Sequence, residues 1–278
     1  MTRKYNTILK QFIATAAIAA FFMFSTGGAF AQTKTLRMAT WLPPMHSLIK
    51  TLDRWGQEVS KASGGSLKVE IMKAPLAKPP GQYDLVKKNV TDLAWSVAAW
   101  SPKRFHLFRG IDMPFLFSSA EVGSAGLWDW YSKNKFADKE FTDSKLVGAY
   151  VNPPHLYHSR KKLTVLNDLK GQKIRAGGYG IGILKKLGAA PLFLNPPSTT
   201  QALQKGTIDG TQFPWEALKG FRLVKYSKYH LVIPNGLYTN AWWLSMSKKS
   251  WEGLTSAQKN AIKAVGLSGS RLIGKGWD

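Results

Sequence analysis

The chain has 278 residues, with 39 Lys and Arg against 16 Asp and Glu for a formal net charge of +23, and it has no cysteine. The absence of thiols excludes disulfides, thiolate metal sites and a cysteine nucleophile, so the 44% of hydrophobic residues, 11 Trp and 14 Phe among them, must hold the fold. The lysines are spread along the chain without a recognition motif, which speaks against nucleic acid as a partner, while their field draws anions in.

Residues 1–31 read as an export signal. Arg3, Lys4 and Lys10 form a basic start, and Phe12 to Phe24 form an apolar core too short for the roughly 20 residues that span a bilayer. Ala29-Phe30-Ala31 supplies a small-x-small cleavage pattern, which predicts cleavage after Ala31 and a periplasmic protein starting at Gln32.

The mature chain opens with strand-like Leu36 to Leu42. An amphipathic helix follows through Leu48, Leu52, Trp55 and Val59, ending at Gly64-Gly65. Leu67 to Ile71 alternates as a second strand, a helix through Leu85 and Val86 stops near Asn89, and Asp92 to Ala98 is an apolar third strand. The second half repeats this grammar: a strand at Lys173, a helix through Leu187, a strand at Pro191 to Leu194, a helix over Ser198 to Lys205, then Thr207 to Thr211. Asn89 and Gly206 each suit a left-handed helix end, and an aspartate that turns or caps the chain, Asp92 or Asp209, follows each within three residues. Two α/β lobes are predicted, over 32–150 and 151–237, with Lys145 to Val151 crossing between them and Tyr238 to Ser247 crossing back. Such strands make a hinge, and the cleft between hinged lobes takes a ligand. Over 238–278 the crossing strand gives way to a helical pattern through Leu254, Ile262 and Val265.

The most informative stretch is Asp168 to Pro214. A turn at Lys170-Gly171 leads into Lys173-Ile174-Arg175, then a glycine-rich segment from Gly177 to Gly182, then a helix. A guanidinium at a strand end and free N–H groups at a helix start converge on one space, and both favour a carboxylate or phosphate. The competing reading is a surface arginine paired with Asp168 or Asp209. The glycines lack the P-loop Lys-Ser/Thr and miss the dinucleotide spacing, so no cofactor is expected.

DLKGQKIR at Asp168 to Arg175, and ALQKG followed by TIDGTQFP at Ala202 to Pro214, resemble the solute receptors of tripartite ATP-independent periplasmic (TRAP) transporters. The likeness extends to MPFLF at Met113 to Phe117 and WWLSMS at Trp242 to Ser247, and so to nearly the whole mature chain. It implies a two-lobed periplasmic binding protein of type II-like α/β fold that captures a small organic acid and delivers it to membrane permease subunits. It also implies several tens of helical residues beyond Trp277-Asp278, so the chain reads as truncated.

By the same resemblance the cleft is lined by Trp41, Trp95, His155, Tyr157, Arg175, Phe213 and Trp215. Many members carry asparagine where Phe213 stands, so this pocket reads as aromatic. The hydroxyls of a sugar acid would find few partners there, each unpaired group costing roughly 1–3 kcal/mol. An acid with an apolar or aromatic body is expected. Alternatives are a receptor of an ATP-driven importer, a periplasmic sensor subunit, or an amine held by the rings. His155 and His158 stand three apart without a carboxylate, so no metal is expected. No nucleophile elbow accompanies His158-Ser159, so no enzyme is expected either.

Overall fold

The computed structural model describes residues 33–278, so the proposed signal segment and its cleavage site lie outside the described residues. In chain order the elements that position the site are β1 (Lys34–Ala39), α1 (Ser47–Ala62), β2 (Leu67–Ile71), α2 (Gln82–Lys87), β3 (Leu93–Val97), α3 (Ala120–Lys133), β4 (Ser144–Val151) and β5 (Leu156–Ser159). They continue with β6 (Lys173–Ala176), α4 (Gly180–Lys186), β7 (Ala190–Phe193), α5 (Thr199–Gln204), β8 (Gly210–Phe213), α6 (Glu216–Gly220), β9 (Tyr229–Leu231), β10 (Ala241–Ser247) and α7 (Ser256–Lys275).

Two five-stranded sheets result, ordered β2-β1-β3-β10-β4 and β7-β6-β8-β5-β9. Each has three parallel strands and an antiparallel partner beside the third, β10 on β3 in one sheet and β5 on β8 in the other. The aspartates serve both halves alike. Asp92 Oδ2 accepts the Arg37 N–H of β1 at 2.8 Å, and Asp209 Oδ2 accepts the Lys173 N–H of β6 at 2.8 Å. Before them, Asn89 (φ 56°) and Gly206 (φ 69°) take the left-handed conformation at the ends of α2 and α5.

The crossing is shorter than expected. Strands β4 and β10 pair with each other inside the first sheet over Ser144–Val151 and Ala241–Ser247, so neither strand itself crosses. The chain passes over at Asn152 to His155 and returns at Tyr238 to Asn240. There Thr239 Oγ1 donates to Asn152 O (2.7 Å), and the His155 N–H donates to Tyr238 O (2.8 Å). Alternation marks a strand but not the residue where pairing changes sheets.

The larger core lies under the first sheet. Helix α1 buries Leu48, Leu52, Trp55 and Val59, the stripe its spacing predicts. Helix α7, 20 residues long with a Thr255–Gln258 capping box, buries Ile262, Val265 and Ile273. At Gly269 an added Cβ would come within 2.8 Å of Trp55, so the glycine lets α7 close onto α1.

Candidate functional site

A cavity of about 50 Å³ lies between the two sheets. Residues of both sheets and of the crossing segments wall it, Trp41, Trp100, His155, Arg175, Phe213 and Tyr238 among them.

Arg175 comes from the end of β6 and is 3% exposed. Its Nε donates to Leu194 O at 3.0 Å and its Nη1 reaches Gln212 O at 3.5 Å. The guanidinium carbon sits 4.2 Å from the Phe213 ring centroid. The surface-pairing alternative is ruled out by geometry: Asp168 accepts from Thr164 and Val165, while Asp209 pairs with Lys161. No carboxylate pairs with Arg175 among the described residues. Burial pushes its pKa down to about 9. A desolvated cation without a counter-ion carries a penalty of several kcal/mol, which an anion in the cavity would offset.

A hydrogen-bond chain sets the polarity beside it. Tyr238 Oη donates to Asn240 Oδ1, which turns the Asn240 amide nitrogen toward His155 Nε2 at 3.2 Å. The neutral His155 ring therefore accepts at Nε2 and carries its proton on Nδ1, a buried donor with no partner. Burial, with the charge of Arg175 second, holds His155 well below its ordinary pKa. Trp100 adds another unpartnered indole N–H on a cavity-lining residue, packed against Gly177 near Arg175 Nη2.

Of the seven residues singled out from sequence, the structure brings Trp41, His155, Arg175 and Phe213 to the cavity wall and leaves three outside it. Trp95 is fully buried behind the wall, stacked on Trp242 at 4.4 Å. Tyr157 is also fully buried, its hydroxyl accepting from Gln212 Nε2 at 3.3 Å. Trp215 is half exposed and packs on His158 and His230 at 5.2 and 4.9 Å. Trp95 lies on the same face of β3 as the cavity-lining Val97 but sits under Trp41 and Trp242, and Trp215 falls past the end of β8, so depth and position along the chain separate wall from core. His158 faces away from the cavity too, contacting His230 and Phe213 O.

The sequence reading missed His46, Trp100, Glu216, Asn240 and Trp277, all of which line the cavity. Glu216 is the most unexpected. Its Oε1 accepts the Trp277 indole N–H at 2.8 Å, while Oε2 is shut off from solvent without a partner, and burial pushes its pKa up to about 7. A lone acid in the apolar run Phe213 to Leu218 was the available signal.

Residues 38–268 match the family described as bacterial extracellular solute-binding protein, family 7. A TRAP periplasmic solute-binding protein from Bordetella bronchiseptica, solved with bound (R)- and (S)-mandelate, is 28% identical, with a TM-score of 0.83 over 88% of this chain and 79% of that one. A marine metagenome TRAP solute-binding protein specific for aromatic acid ligands, solved with 3-hydroxybenzoate, is 31% identical, with a TM-score of 0.80 over 88% and 79%. Among curated relatives, the outer membrane transporter protein TsaT of Comamonas testosteroni is 25% identical over 84% of this chain and 71% of its own length. The chain belongs to the family of bacterial extracellular solute-binding proteins and is a solute receptor of the TRAP class. That class is favoured over the receptors of ATP-driven importers and over sensor subunits.

Proposed function

We propose that the chain captures a small monocarboxylic acid with an apolar or aromatic body and delivers it to the membrane permease subunits of a TRAP transporter. One observation carries the reading: Arg175 is buried on the cavity wall against the face of Phe213, with no acidic partner among the described residues. The carboxylate is assigned to the Arg175 guanidinium and the His155 Nδ1–H, and the body of the acid to Phe213, Phe221 and Trp41. The acids bound by the two structural relatives, mandelate and 3-hydroxybenzoate, support this class. An amine would meet the Arg175 charge. The receptor itself performs no chemistry, and export with cleavage after Ala31 delivers it to the periplasm, which the intact mass of secreted protein checks.

Titration calorimetry against aromatic monocarboxylates, sugar acids and amines tests the ligand class. Aromatic monocarboxylates should bind and add about 2.7 kcal/mol of stability at a hundredfold excess over Kd. Tight binding confined to sugar acids or amines would overturn the reading.

A further inference from the structure

Arg175 accounts for one end of the cavity, and the opposite wall carries a second set of polar atoms. Glu216 Oε2, His46 Nε2 and Trp41 Nε1 are all closed to solvent, all lack a partner, and all belong to cavity-lining residues. A closed circuit of contacts links the three residues around one part of the wall. Trp277 holds Glu216 and packs on Trp242 at 4.9 Å; Trp242 stacks on Trp41 at 5.9 Å; Trp41 stacks on Phe221 at 6.2 Å. Phe221 follows α6, the helix that begins with Glu216, and meets His46 at 5.0 Å. An added Cβ at Gly220 would strike His46 Nε2, which places that nitrogen against the end of the same helix. From Arg175 the wall runs over Phe213 (4.2 Å) and then Phe221 (5.6 Å from Phe213) before it reaches this group, so two rings separate the two polar ends.

The proton inventory at this far end is fixed. His46 Nδ1 accepts the Leu48 N–H at 3.4 Å as the cap of α1, so the neutral ring carries its proton on Nε2. The Trp41 indole nitrogen can only donate. Glu216 Oε2, whose twin oxygen already accepts from Trp277, supplies the acceptor. Two donors and one acceptor, all desolvated, call for a group that both gives and takes hydrogen bonds. A second carboxylate would face Glu216. An ammonium offers nothing for the two N–H groups to donate to. A hydroxyl satisfies the set, donating to Glu216 and accepting from His46 or Trp41.

We propose that Glu216, His46 and Trp41 form a second polar subsite for a hydroxyl, so that the receptor selects aromatic monocarboxylates hydroxylated at the end remote from the carboxylate. This rests on the reading of the cavity as an acid site anchored at Arg175. It assigns Glu216 to discrimination among acids, whereas Arg175 provides affinity for acids as a class.

The test is a calorimetric comparison at pH 8 of benzoate, phenylacetate and 3-phenylpropanoate with their ring-hydroxylated and ring-aminomethylated forms, in wild type and in Glu216→Met and Glu216→Gln. In wild type at least one hydroxylated acid should bind about tenfold tighter than its parent, the value of one net hydrogen bond to a charged group. That ratio should fall to one or below in Glu216→Met and be partly retained in Glu216→Gln, whose side-chain oxygen still accepts. Trp41→Phe, which keeps a stacking ring but removes the indole N–H along with the pyrrole part of the side chain, should lower the same ratio more than it lowers the affinity for the parent acid, and gives a second arm that leaves Glu216 in place. Parent acids that bind while no ring position gains from hydroxylation would overturn the subsite alone. A preference for the aminomethyl acids would overturn the hydroxyl assignment. No binding by any of these acids would sink the aromatic-acid reading and the subsite with it.

Discussion

The Arg175 guanidinium lies over the face of Phe213, 4.2 Å from the ring centroid, and both residues line the cavity. The ring covers one face of the cation, two backbone carbonyls take N–H groups at its edge, and the remaining donors are left for a ligand. A guanidinium tolerates this setting better than an ammonium, because it is weakly hydrated and stacks on rings.

Replacing Arg175 by Ala should therefore weaken carboxylate binding by two to three decades, roughly 2–5 kcal/mol. Lys should restore only part, keeping charge without the planar fork. Titration calorimetry with benzoate, run beside circular dichroism and melting, separates this outcome from misfolding. Unchanged affinity in a folded Arg175→Ala protein would remove the anchor.

Phe213 contributes a cation–π contact worth roughly 1–2 kcal/mol at a desolvated site. Phe213→Leu keeps an apolar wall and should cost aromatic acids about five- to tenfold in affinity. Phe213→Asn should cost them more and narrow the gap between aromatic acids and sugar acids. Competition titrations read both effects, and an aromatic preference that survived Phe213→Asn would show that other rings set it.

Much of the fold was legible because it rests on local chemistry. The stripe of α1, the alternation of β2 and the left-handed ends at Asn89 and Gly206 are written in neighbouring residues. Arg175 was legible for the same reason, a strand end running into glycines. Glu216 and His46 were not, because a cap residue and a helix-start acid become cavity groups only when Trp277 and Phe221 fold over them. Trp95, Tyr157 and Trp215 show the converse. The resemblance places each near the cleft, but the rings packed over Trp95 and the position of Trp215 past the end of β8 decide whether a ring lines the wall, backs it or faces solvent. The crossing at Asn152 to His155 was displaced from the strands for a related reason, since pairing between distant segments sets where a sheet ends.

Glu216 makes stability depend on pH in a definite direction. Its folded pKa, about 7, lies above the ordinary 4.5, so its contribution is fully present below about pH 4.5 and is lost as pH rises through 7. Glu216→Gln carries no such titration. Relative to wild type, the ligand-free Gln variant should gain stability between pH 4.5 and 7, by on the order of 2–3 kcal/mol, and stay level above it. Paired denaturant titrations across that range check the sign. The buried histidines do not disturb the comparison, because His46, His155 and His158 are present in both proteins. A difference independent of pH would mean that the Glu216 carboxyl stays ionised throughout.

Gly178 sits in the Arg175 loop at φ 55° and faces across the cavity to the other lobe. An added Cβ would collide with the Tyr238 hydroxyl and come within 3.0 Å of Ala99 Cβ, just past the end of β3 in the first sheet. Gly178→Ala therefore meets two costs, roughly 1–2 kcal/mol for a left-handed alanine and a wedge between surfaces that meet across the cavity. The Tyr238 hydroxyl it would displace also sets the orientation of Asn240 and so the tautomer of His155. Benzoate affinity should fall by at least tenfold, chiefly through faster release, and small-angle scattering should report a larger radius for the variant with saturating acid than for wild type. Gly182, on α4 with no atom within 4 Å of an added Cβ, supplies the control: Gly182→Ala should match wild-type affinity and melt slightly higher, since alanine favours a helix over glycine. Equal affinity in the Gly178 and Gly182 variants would show that the Arg175 loop does not meet Ala99 and Tyr238 in the liganded receptor.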